Sequence, residues 1–154
     1  MTELTLQRLK ATGWTPDRKV DITPIEEAYA EEGAHIPEKL REFFAEYAFL
    51  DIEYYDSVRD VHEEHNINPL DESWGWDRQT FDNLLEQVGV SGTAYYVGAA
   101  FRRNMDIFYH DDGFFYFFMG GGPIIRIGST IDEFVSALCG DYSQTAGWEY
   151  LRRG

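Results

Sequence analysis

The sequence is short of basic residues. Thirteen lysines and arginines stand against 28 aspartates and glutamates, a formal net charge of −15. Nucleic-acid binding needs cations to neutralise phosphates, so no nucleic-acid partner is expected. There is one cysteine, Cys139. It has no partner for an internal disulfide, which fits a reducing cytoplasm. Long hydrophobic runs are absent as well. The longest aromatic stretch, Phe114 to Met119, is far too short to span a bilayer, and no membrane partner is expected. The N-terminus shows no basic, apolar and small-residue order of a signal peptide, which again points to the cytoplasm. No repeat, linker or low-complexity segment interrupts the 154 residues, so the chain reads as a single domain over 1–154.

What is present is apolar and aromatic: 44% and 16% of the residues, enough for a real core. The chain is organised around Tyr95 to Leu138. Runs such as Met105 to Tyr109 and Phe114 to Met119, broken by Asp112-Gly113 and Gly120-Gly121-Gly122, read as strands joined by tight turns. Asp112-Gly113 suits a two-residue hairpin turn with positive φ at both positions. Aromatic residues on successive positions of Phe114 to Met119 would pack on both sheet faces. Thr130-Ile131-Asp132-Glu133 is a capping box opening a helix with Ile131, Phe134, Val135 and Leu138 on one face. An antiparallel meander feeding a covering helix follows.

Earlier in the chain, Leu4, Leu6, Leu9 and Ala11 predict a short helix stopped at Gly13. Thr23-Pro24-Ile25-Glu26 reads as a second capping box, its helix ending at Gly33. Pro37 opens a third helix, with Ile36, Leu40, Phe43, Phe44 and Tyr47 at helical spacing. Leu50, Ile52 and Tyr54 alternate with Asp51 and Glu53, a half-buried strand with an acidic outer face. The segment from Asp56 to Asn68 is polar and fits no regular element, with His62 to His65 reading as solvated, and Asn68-Pro69 marks a turn. Asp77 would cap a fourth helix carrying Phe81, Leu84, Leu85 and Val88. In the tail, Trp148, Tyr150 and Leu151 are placed to dock on the body.

No pattern of catalytic residues emerges. His62-Glu63-Glu64-His65 misses the zinc-protease helix motif by one residue, since that motif needs its histidines at i and i+4. His110-Asp111-Asp112 lacks the alternating acids and final glutamate of a calcium loop. Gly120-Gly121-Gly122 is not followed by the Lys-Ser/Thr of a phosphate loop. Cys139 reads as a small core residue. No metal or cofactor is expected.

The order of the parts carries a resemblance. Gly13-Trp14, Pro16, Arg18 and Val20-Asp21 form an opening signature. It is followed by the helix around Leu40, Phe43 and Phe44, by Asn68-Pro69, and by a helix ending Val88-Gly89. Tyr96-Val97-Gly98, then Asp111-Asp112-Gly113 with Tyr116, and Gly128 before the helix from Ile131 to Gly140 complete it. This sequence resembles the SUKH superfamily, third subgroup. It departs at Tyr47 to Leu50, where that family often has a Gly-Gly pair. The resemblance implies an α+β fold, a bent, mainly antiparallel sheet flanked by helices. It implies a cytoplasmic bacterial immunity protein that binds and neutralises a polymorphic toxin, without catalytic residues of its own. It also implies an alternative, a non-catalytic interaction or regulatory module. An enzyme assembled from distant residues such as Glu63, His65, His110 and Asp111 is the third possibility.

Charge locates the expected binding surface. From Asp21 to Glu72 there are 16 acidic residues against Lys39, Arg41 and Arg59. That acidity fits two roles, solubility alone or attraction of a basic partner. The expected partner-binding residues are Glu53, Asp56, Asp60, Glu63 and Glu64, with Trp74 and Trp76 as aromatic anchors. Toxins that act on nucleic acid are basic on their substrate face, so a basic toxin domain is the expected partner. Trp14 and Arg18 are expected to be structural, with Trp14 buried and Arg18 holding the loop by hydrogen bonds.

Overall fold

A computed structural model describes residues 1–71, 78–144 and 148–153. Among the described residues seven strands form one sheet in sequence order, every neighbouring pair antiparallel. They are β1 (Asp51–Asp56), β2 (Val61–Asn66), β3 (Ala94–Ala100), β4 (Met105–His110), β5 (Phe115–Phe118), β6 (Ile124–Ile127) and β7 (Trp148–Arg152). The described helices are α1 (Glu3–Ala11), α2 (Thr23–Glu31), α3 (Glu38–Tyr47), α4 (Arg78–Gln87) and α5 (Ile131–Leu138). This is the expected α+β arrangement. The C-terminal tail does more than dock: as β7 it pairs with β6.

The sheet is buried on both faces at its centre, which explains the consecutive apolar residues Ile107 to Tyr109 of β4 and Phe115 to Phe118 of β5. Ile107, Tyr109, Phe115, Phe117, Ile125 and Ile127 face one core, together with Leu9 of α1, Ile25 and Tyr29 of α2, Leu40, Phe43 and Phe44 of α3, and Phe134 of α5. Phe108, Tyr116, Phe118 and Ile124 face the other, where Phe81 and Leu85 of α4 cover them. Phe115 stacks on Phe134 at 4.0 Å on the first face, and Phe81 on Phe108 at 4.1 Å on the second. Offset aromatic contacts of this kind add to the area they bury.

Local details differ from expectation in three places. The β4–β5 connection is a three-residue loop: His110 pairs with Phe114, Gly113 N–H donates to the His110 carbonyl at 2.9 Å, and Gly113 alone has positive φ, +87°. That is a type I turn closed by a left-handed glycine, which matches the twist of the strands as a two-residue turn would. Thr23 lies inside α2, whose N-cap is Ile22; the first-turn help comes instead from Asp21, whose carboxylate accepts from Thr23 N–H at 3.0 Å. The segment after Asp56 is not a solvated stretch, because Val61 to Asn66 form β2 with Glu63, His65 and Asn66 buried.

Trp14 and Arg18 are placed as expected. Trp14 is 5% exposed, stacks against Tyr47, and donates from Nε1 to Glu46 at 3.0 Å. The Arg18 guanidinium donates to the carbonyls of Glu46 and Ala48 at 2.5 and 2.7 Å. Together they tie the loop after α1 to the C-terminal end of α3.

Candidate partner-binding surface

The sheet is covered unevenly. On the face that α4 protects, the described helix lies over β3 to β6, while the β1–β2 end carries polar side chains. Side chains alternate across a strand, so β1 sends Ile52 and Tyr54 into the core and Asp51, Glu53 and Tyr55 outward. On β2, His62 and Glu64 lie on that same outer face, opposite Tyr55 and Glu53 respectively. Glu53 and Glu64 are therefore a directly opposed like-charge pair, an arrangement that costs stability. His62 Nε2 lies 3.8 Å from Glu53, and both side chains are more than half exposed. Asn66 bridges the acids, donating from Nδ2 to Asp51 at 2.6 Å and to Glu64 at 2.8 Å.

The remaining expected residues divide. Asp56 caps the β1–β2 turn: it accepts from the main-chain N–H of Val58 and Arg59 and pairs with Arg59 Nε at 2.8 Å. Those bonds, the Arg59 side chain first, hold its carboxyl below the usual range. Asp60 is exposed, has φ of +52° and accepts from the Tyr55 hydroxyl. Glu63 does not point outward. It is fully buried on the inner face opposite Tyr54, paired with Arg59 at 3.3 Å and Arg102 at 3.2 Å. A buried carboxylate needs such partners, and two arginines at the strand ends supply them. The exposed acids are thus Asp51, Glu53 and Asp60, with Glu64 half-buried beside them. Trp74 and Trp76, and the capping residue Asp77, lie outside the described residues.

The residues considered for chemistry serve structure. His65 is buried, its Nδ1 accepts from Phe101 N–H at 3.1 Å, and its Nε2 lies 3.3 Å from the Tyr54 hydroxyl. With Nδ1 accepting, the neutral ring carries its proton on Nε2 and donates to Tyr54. Burial, helped by the nearby Arg59, pushes its pKa down to about 3. It supports a β3–β4 turn in which Phe101, Arg102 and Arg103 all have positive φ, a costly run for residues with side chains. Arg102 N–H donates to the Glu64 carbonyl at 2.8 Å and completes the latch. His110 faces the opposite side of the sheet, beside Tyr116. Glu63 and His65 therefore do not converge with His110 and Asp111, whose carboxylate instead accepts from Thr93 N–H. Burial pushes the Cys139 thiol up to about 12, far from a reactive thiolate. Among the described residues no group of three His, Cys, Asp or Glu is placed to hold a metal ion, and no helix is long and apolar enough to cross a membrane.

An α+β domain with this meander and an acidic strand pair that no described helix covers has the features of a binding protein. A family model, SUKH-3 immunity protein, matches residues 1–141, and the chain belongs to that family. Neither curated proteins nor solved structures gave a match.

Proposed function

We propose that this chain is a stoichiometric inhibitor of a cognate toxin domain, acting in the cytoplasm of the cell that makes the toxin and masking the toxin by direct contact. The observation that carries the reading is the opposed pair Glu53 and Glu64 on a sheet face that no described helix covers, in a chain of an immunity protein family. Like charges facing each other across strands cost free energy in the free protein. A basic partner reverses that sign on binding. The partner of this reading is a toxin domain with a basic face, such as a toxin that acts on nucleic acid. Charge raises the rate of encounter, and a few buried aromatic contacts supply most of the affinity. A contact of standard size would bury roughly 800 Å² on each partner. The chain contributes no catalytic group and takes no cofactor in this mechanism.

The experiment is co-expression with the toxin domain encoded beside its gene. Growth restored by this chain, with the two proteins purifying as a complex of fixed ratio, supports the reading. Restored growth with no complex would point to enzymatic reversal of toxin damage and would count against masking.

A further inference from the structure

β1 forms one outer edge of the sheet, and the phase of its hydrogen bonds fixes which groups face outward. Ile67 N–H donates to the Leu50 carbonyl at 3.0 Å. Bonded and non-bonded pairs alternate along an antiparallel ladder. Leu50, Ile52 and Tyr54 therefore bond toward β2, and Asp51, Glu53 and Tyr55 aim their N–H and C=O groups away from the sheet. No described residue hydrogen-bonds to those outward groups. The pairing of β1 with β2 runs without a bulge, Asp51 to Asp56 contain no proline, and their charges are all acidic, so they discourage an acidic strand and not a basic one.

The same strand is bracketed by exposed apolar side chains. Phe49 just before it is 42% exposed, Tyr55 within it 55%, and Val58 in the following turn 93%. An acidic centre thus lies between apolar ends. The opposite edge, β7, differs in charge: it carries Glu149 but ends in Arg152, with Arg153 just beyond it, 4.4 Å over the Tyr150 ring.

Resting on the masking function proposed above, we infer that the toxin docks by adding an extended, basic segment to β1 as an eighth strand. Main-chain groups of that segment take the free N–H and C=O groups of Asp51, Glu53 and Tyr55, the general mode of strand addition. Its outer-face lysines or arginines meet Asp51, Glu53 and Glu64, and its apolar residues pack against Phe49 and Tyr55. Charge selects this edge over β7, where Arg152 and Arg153 repel a basic strand. Charge also discourages two copies from pairing β1 to β1, since acids would then face acids.

The test is amide hydrogen exchange on the wild-type chain, alone and saturated with the toxin domain encoded beside its gene. The amides of Asp51, Glu53 and Tyr55 are expected to slow by about ten-fold or more in the complex. Glu53→Pro removes an outward N–H, tolerable at an edge, together with the carboxylate, and is expected to weaken binding by about ten-fold or more beyond Glu53→Gln, which removes the charge alone. Unchanged exchange at these three amides in a saturated complex would overturn strand addition while leaving masking intact. A wild-type chain that does not bind the toxin at all would remove the masking reading itself. Slow exchange at the three amides without toxin, in a chain that sediments as a dimer, would assign the edge to a second copy and overturn the proposal.

Discussion

Trp14 is almost wholly removed from water and is held at both its ring and its nitrogen. Trp14→Ala should cost about 3 kcal/mol or more in a urea unfolding experiment, the range for deleting a large buried aromatic. Asp106 gives a second prediction. It lies on the α4 face of β4, and burial pushes its carboxyl up from 3.8 to about 7. Between those values the folded chain keeps a proton that the unfolded chain releases. Stability from this group therefore falls as pH rises through the window, by up to about 1.4 kcal/mol per pH unit. Asp106→Asn should flatten that fall, read as a smaller difference between unfolding curves at pH 5 and pH 8. His65 works in the opposite sense. Its folded value near 3 lies below the unfolded 6.5, so stability is lost as pH drops below about 6.5. A nitrogen-detected NMR titration should show its ring still neutral in the folded chain at about pH 4.5. At this scale the roles of Trp14 and Arg18 were legible in the sequence, since a Trp and an Arg in a short loop without catalytic neighbours are best explained by packing and backbone bonding. The burial of Glu63 and His65 was not, because their partners Arg59, Arg102 and Phe101 reach them only through the fold.

Elements with a clean period were readable before the structure. α3 and α5 show their buried stripe in the order of Leu40, Phe43, Phe44 and of Phe134, Val135, Leu138, and β1 shows strict alternation. β2 hid because its inward positions are Glu63 and His65, so a core-facing strand carried the composition of a surface loop. The junction it makes is narrow. β2 meets β3 in the single pair Asn66 and Ala99, next to Gly98, where an added Cβ would fall 2.0 Å from the Asn66 carbonyl oxygen. Backbone cannot yield as a side-chain tip can. Gly98→Ala should therefore cost about 2 kcal/mol or more and should loosen β1 and β2 selectively, seen as faster amide exchange at Ile52 and Tyr54 than in β4.

On the scale of the whole molecule, the acidic bias of residues 21–72 becomes a surface with structure. Much of that charge is spent on caps and pairs, as with Asp56 and Glu63. What remains on the outer face, Asp51, Glu53 and Glu64, is what a basic partner would meet. Reversing Glu53 and Glu64 to lysine together should slow association with the toxin domain by about ten-fold or more at low salt, with little difference near 1 M salt, where screening acts within about 3 Å. Sequence charge alone could name the region but not this division, since it depends on which face each strand position occupies. The central claim, that the chain neutralises a toxin by stoichiometric masking, is tested most directly by calorimetric titration of the toxin domain encoded beside its gene, with toxin activity assayed at each step. The account predicts a saturating one-to-one transition, with activity vanishing at the same equivalence point. Activity that persists in the saturated complex, or is lost at amounts of this chain far below equivalence, would contradict it.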